Sequence, residues 1–98
     1  MRQLTLKISI EADRDLEDIW LYAARYNQAK ARKLVKEIIN KLNHLKQHPR
    51  MGRLRNELLP NLRSVVQGSH TIFYCATHEE VVIVRILHNR RDFTQHLN

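Results

Sequence analysis

Val81-Val-Ile-Val-Arg-Ile-Leu-His-Asn-Arg-Arg-Asp92 is the stretch that decides the fold. From Val81 to Leu87 it is rich in β-branched residues, as a central β-strand should be. Arg85 interrupts the apolar run, and the strand then empties into His88, Arg90, Arg91 and Asp92. The best β-segment of a small protein thus delivers a histidine and a cluster of arginines to its own C-terminal end. Function is read there, and the chain upstream is read as its support.

Working outward, Thr77-His-Glu-Glu80 turns the chain into this strand. His70 to Ala76 is apolar enough for a second central strand. Gly68-Ser69 makes a tight hairpin turn, the glycine supplying positive φ, and Leu62 to Gln67 is a strand carrying Arg63. Pro49 to Pro60 reads as a loop from its Pro and Gly punctuation. It brings Arg50, Arg53 and Arg55 close to Glu57, either as a solvated loop with local ion pairs or as the border of an anion-binding groove.

The longest element is a helix over Gln28 to Gln47. Ala31, Leu34, Val35, Ile38, Leu42 and Leu45 form its buried stripe, and its lysines lie largely off that stripe, as a solubilising face or a phosphate-binding one. Pro49 disfavours helical geometry at His48 and ends it there. An earlier amphipathic helix carries Ala12, Leu16, Ile19, Trp20 and Ala23 on one face, with Ser9 as N-cap and acidic residues near its positive end. It fades at Tyr26-Asn27, where Asn27 is free to cap the next helix. Residues 2–8 alternate with period two and place Leu4, Leu6 and Ile8 on the buried side of a strand. The order is β-α-α-β-β-β. It predicts an α+β layer in which a two-helix hairpin covers one face of a mostly antiparallel sheet.

Composition sets the remaining bounds. The 98 residues, 43% hydrophobic and 28% charged, describe one ordinary globular domain over 1–98. No signal-peptide pattern and no apolar run of about 20 residues is present, so no membrane partner is expected. The lone Cys75 reads as core, suits a reducing cytoplasm and leaves no cysteine-based zinc site. The histidines at 44, 48, 70, 78 and 96 suggest no metal site, and no cofactor is expected. Net charge is +7, which favours an anionic partner. All six lysines precede residue 49, whereas Pro49 to Asn98 holds seven arginines. Arginine is the residue of bidentate carboxylate or phosphate recognition, so the split suggests a scaffold half and a recognition half.

One ordered set of residues resembles the ParE branch of the ParE/RelE toxin superfamily of type II toxin–antitoxin systems. It comprises Ser9 with Ala12, Asp15-Leu16, Ile19 with Tyr22-Ala23, Leu45, His48-Pro49, Gly52-Arg53, Glu57-Leu58 and Leu62-Arg63. Ile72-Phe73-Tyr74 and Val84-Arg85-Ile86-Leu87-His88 with Arg90-Arg91-Asp92 complete it. The resemblance implies the RelE/ParE toxin fold and a cognate antitoxin with an acidic C-terminal segment, hence a hetero-oligomer in the cytoplasm. It also implies one of two activities: inhibition of DNA gyrase, or ribosome-dependent cleavage of mRNA.

RNA scission needs proton transfer at the attacking and leaving oxygens and cations around the phosphate. Under the nuclease alternative, His88, Glu57, Arg63 and Arg85 are the catalytic candidates. The chain lacks any tyrosine after Tyr74 and any lysine after Lys46, which favours gyrase inhibition, with no covalent chemistry and no assigned catalytic residue. Arg53, Arg55, Arg63, Arg85, His88, Arg90 and Arg91 are then candidates for binding the target or the antitoxin.

Overall fold

A computed structural model describes residues 4–97. The strands are β1 (Thr5–Ile8), β2 (Arg53–Leu54), β3 (Arg63–Gln67), β4 (His70–Ala76) and β5 (Glu80–His88). The helices are α1 (Ile10–Ala24), α2 (Gln28–Gln47) and α3 (Phe93–His96). The sheet order is β1-β5-β4-β3-β2, with β1 parallel to β5 and every other pair antiparallel. The expected β-α-α-β-β-β order is therefore present, with two additions. Arg53–Leu54 pairs with Ser64 and Arg63, so the segment expected to be only a loop also supplies the sheet's edge strand. A short helix follows the Arg-rich end, capped by Asp92, whose carboxylate accepts from the Thr94 amide at 3.1 Å. The Arg2 and Gln3 positions of the first expected strand lie outside the described residues.

The caps form where side-chain chemistry asks for them. Ser9 accepts from the Ala12 amide at 3.0 Å and Asn27 from the Lys30 amide at 3.0 Å, satisfying donors that a helix start leaves open. Gly68 takes φ +60 in the β3–β4 turn, as that turn requires.

Ala12, Ile38, Leu42 and Leu45 from the helices meet Ile72, Tyr74, Val81, Ile83 and Ile86 from the sheet in the main core. Leu4 and Leu6 pack against it, whereas Ile8, expected on the same face, is 40% exposed at the strand's end. A second, smaller cluster fills the opposite face: Leu62, Phe73, Leu87 and Leu97, with Leu58, Leu59, Cys75, Val84 and Phe93 around them. The unbroken apolar run of β4 has its explanation here, because successive side chains point to opposite faces and both faces are covered. Cys75 is half-buried in this second cluster, and burial raises its thiol pKa.

Candidate functional site

β5 carries an irregularity that decides what its arginine does. Phe73 is opposite Arg85 but Tyr74 is opposite Ile83, so Val84 has no partner on β4. This extra residue lets Ile83 and Ile86, three positions apart, both face the main core. β1 pairs only as far as Ile83, so the rest of β5 is an edge. Two side chains close it. Ser9 Oγ donates to the Val84 carbonyl at 2.8 Å, and Asp15 Oδ2 accepts from the Ile86 amide at 2.9 Å. Occupied edge groups are unavailable for unwanted strand pairing.

Asp15 also holds Arg85. The guanidinium donates through Nε to Oδ2 at 2.8 Å and through Nη2 to Oδ1 at 2.9 Å, while Nη1 donates to the His96 carbonyl at 3.0 Å. The hydrogen bonds to Asp15 raise the Arg85 pKa. The side chains are 20% and 12% exposed, so this bidentate pair is poorly screened and far stronger than an ordinary surface pair. Arg85 thus joins α1 to the C-terminal helix, and every nitrogen of its guanidinium has an acceptor.

Arg55 is similarly engaged. Its guanidinium lies 5.8 Å from the Phe73 ring centroid and 5.7 Å from that of Phe93. Nε donates to Glu57 at 2.7 Å and Nη1 to Ser64 Oγ at 3.2 Å. The bond from Arg55 is the main reason the exposed Glu57 carboxyl titrates below its ordinary value.

Arg63 lies on the helix-covered face opposite Tyr74 and donates through Nη1 to the Gly52 carbonyl at 2.8 Å. The Tyr74 hydroxyl donates to the Pro49 carbonyl at 2.7 Å and accepts from the Gly52 amide at 2.9 Å. Burial raises its pKa above the ordinary value, and the Gly52 hydrogen bond opposes the rise. Gly52 has no alternative here: an added Cβ would stand 2.6 Å from the Tyr74 hydroxyl and 2.9 Å from the Ser64 carbonyl.

His88 closes β5 opposite His70, the rings edge to face at 5.3 Å. Its Nδ1 accepts from the Arg90 amide at 3.1 Å. His70 is 8% exposed, and among the described residues its Nδ1 has no hydrogen-bond partner. Burial first, then the nearby His88, lowers its pKa. Arg53, Arg90 and Arg91 are exposed, and none is within salt-bridge distance of a carboxylate among the described residues. Asp92 is spent on the α3 cap rather than on an ion pair with Arg90 or Arg91.

The candidates do not converge on one cleft. Register places Arg63 and His88 on the helix-covered face and Arg53 on the other, where Arg55 lies against Phe73 and holds Glu57. Sequence reading missed two structural roles, Asp15 at the β5 edge and Tyr74 against Gly52. An acid near a helix start, following Glu11 and Asp13, looks like a helix-dipole residue, and nothing local pairs positions 15 and 85. Trp20, expected in the core, is half-buried. With Val35 and Ile39 it forms a shallow apolar groove between Arg32 and Lys36 on the hairpin. Among the described residues no group of three or more His, Cys, Asp and Glu could hold a metal ion, and no helix is long and apolar enough to cross a membrane.

Residues 6–93 match the profile of the ParE toxin of type II toxin–antitoxin systems. Toxin ParE1 of Mycobacterium tuberculosis (strain CDC 1551 / Oshkosh) is 34% identical over 92% of this chain and 94% of its own length. Toxin ParE1 of Caulobacter vibrioides is 32% identical over 93% and 95%. The fold superposes on a chain of the chromosomal ParDE system of P. aeruginosa with TM-score 0.74 and 25% identity, covering 88% of this chain and 96% of that one. A chain of the RelBE2 toxin–antitoxin complex of M. tuberculosis shares the fold at TM-score 0.69 and 24% identity, over 90% and 100%.

Proposed function

Because the chain belongs to the ParE toxin family of type II toxin–antitoxin systems, we propose that it inhibits DNA gyrase and blocks replication until a cognate antitoxin neutralises it. The observation favouring gyrase over mRNA cleavage is the dispersal of proton-transfer groups. His88 and Glu57 lie on opposite faces, Glu57 is bonded to Arg55, and the Tyr74 hydroxyl is buried with both its bonds made. General acid–base catalysis needs two such groups within reach of one phosphate. Toxicity then rests on protein–protein contact, and Arg53, Arg90 and Arg91, with His88 beside them, are the target-binding candidates. Arg55 and Arg85 build the surface that presents them.

The proposed antitoxin carries an acidic amphipathic segment and forms a hetero-oligomer with the toxin in the cytoplasm. Its fit is supported by the groove of Trp20, Val35 and Ile39, whose rim cations Arg32 and Lys36 suit an acidic helix with apolar anchors. Induction of this gene alone tests the reading. Gyrase-dependent chromosome breakage with intact mRNA is the expected result. Rapid arrest of translation with cleaved A-site codons and intact chromosomes overturns it in favour of the nuclease.

A further inference from the structure

From Ile38 to Asn56 the chain contains no Asp or Glu, yet carries five Lys or Arg residues together with His44 and His48. Folding gathers part of this run at one corner. Lys41, His44 and His48 fall at i, i+3 and i+7 on one flank of α2, beside the buried Leu42 and Leu45. The two imidazoles are exposed and stand edge to face at 4.8 Å. Arg50 follows in the loop, exposed. Arg63 is tied to the same loop, its Nη1 donating to the Gly52 carbonyl at 2.8 Å and lying 3.5 Å from the Arg50 carbonyl. Arg53 lies on the outermost strand β2, at the rim, on the sheet's other face.

No carboxylate comes within salt-bridge distance of Lys41, Arg50, Arg53 or Arg63 among the described residues. Cations whose charge no carboxylate neutralises, gathered at a helix-to-strand corner, suit a polyanion. The flank Lys41–His44–His48 has no apolar stripe, which an acidic peptide helix would need for anchorage. Single-stranded nucleic acid favours aromatic stacking platforms, but Tyr74 is fully buried, and the exposed rings at this corner are the two imidazoles, packed edge to face on one another. Phosphate contact without base stacking is what a duplex backbone offers.

We propose that this corner binds the phosphate backbone of duplex DNA through Lys41, Arg50 and Arg63, with Arg53 at its rim, independently of the gyrase reading. The test is fluorescence anisotropy of the full chain with a labelled mixed-sequence duplex of about 20 base pairs across a salt series. Two double variants, Lys41→Glu/Arg50→Glu and Arg90→Glu/Arg91→Glu, are compared, each taking the net charge from +7 to +3. Loss of two phosphate contacts should make the slope of log affinity against log salt shallower by about two for the first variant only. Its affinity at about 0.1 M salt should fall at least about tenfold, against about threefold for the second.

Circular dichroism checks folding, and if the first variant fails to fold, Lys41→Gln/Arg50→Gln should show the same shallower slope. Equal losses in the two variants overturn the proposal, since net charge alone then explains binding. So does an absence of binding at low salt. Tighter binding of single-stranded RNA of the same length, or easier displacement by polyglutamate than by unlabelled duplex at equal charge, overturns it too.

Discussion

Arg85 and the Arg90–Arg91 pair lie within one short stretch of chain, and their guanidinium groups have opposite fates. Arg85 gives all three nitrogens to acceptors within the fold, two to the Asp15 carboxylate and one to the His96 carbonyl. Arg90 and Arg91, just past the end of β5, are exposed, and among the described residues no carboxylate lies within salt-bridge distance of either. What separates them is the reach of α1, whose Asp15 stands level with Ile86 and not beyond it. An arginine that a partner protein can grip is one its own fold has left unpaired. The residue that most resembles a catalytic or binding arginine in the sequence is therefore a tie between layers.

Breaking the tie should give the largest effect. Arg85→Met removes one partner of a mostly buried ion pair and leaves Asp15 with an uncompensated charge, so unfolding free energy should fall by about 3 kcal/mol, read from urea denaturation. In a double-mutant cycle, Asp15→Ala with Arg85→Ala should show a coupling energy of about 2 kcal/mol. Additive losses would mean the two side chains do not act as a unit. Gly52→Ala tests the corresponding packing constraint beside Tyr74 and should cost about 2 kcal/mol through overpacking, with the same readout.

A pH effect should be smaller. The His70 pKa is lowered on folding from its ordinary 6.5, so the unfolded chain takes up the proton first. Stability contributed by neutral His70 is complete above about pH 6.5, falls as pH drops through that value, and levels off below the folded pKa. Denaturant midpoints between pH 8 and 5 should show this decline, and His70→Phe should flatten it. At the open end of the comparison, Arg90→Ala/Arg91→Ala should change stability by less than about 0.5 kcal/mol while abolishing toxicity on induction. Full toxicity in that variant would remove the turn from the target contact.

Much of the fold was legible because its signals are local. Ser9 and Asn27 cap the helices that follow them, His48-Pro49 ends α2, and Gly68 turns the hairpin, each acting on a near neighbour. β2 and α3 were not legible. Arg53–Leu54 is a strand because β3 offers it an edge, and Phe93–His96 is covered by Phe73 and Leu87 from elsewhere in the chain. The candidate site was half legible. The arginines were found, but which remain available depends on contacts as distant in sequence as Asp15 and Arg85.

The sequence by itself determined the order of the two long helices and the four main strands, the boundaries of those helices, most of the buried stripes and the family, because periodicity, capping and turn chemistry act over a few residues. Only the tertiary structure decided the side chains' employment. The unpartnered Val84 on β5 directs Arg85 toward the edge, α1 supplies the carboxylate that meets it, and Phe73 and Phe93 enclose Arg55. The physical reason is that a charge's fate is set by the nearest opposite charge and by how much water remains, and both are known only once the layers have packed.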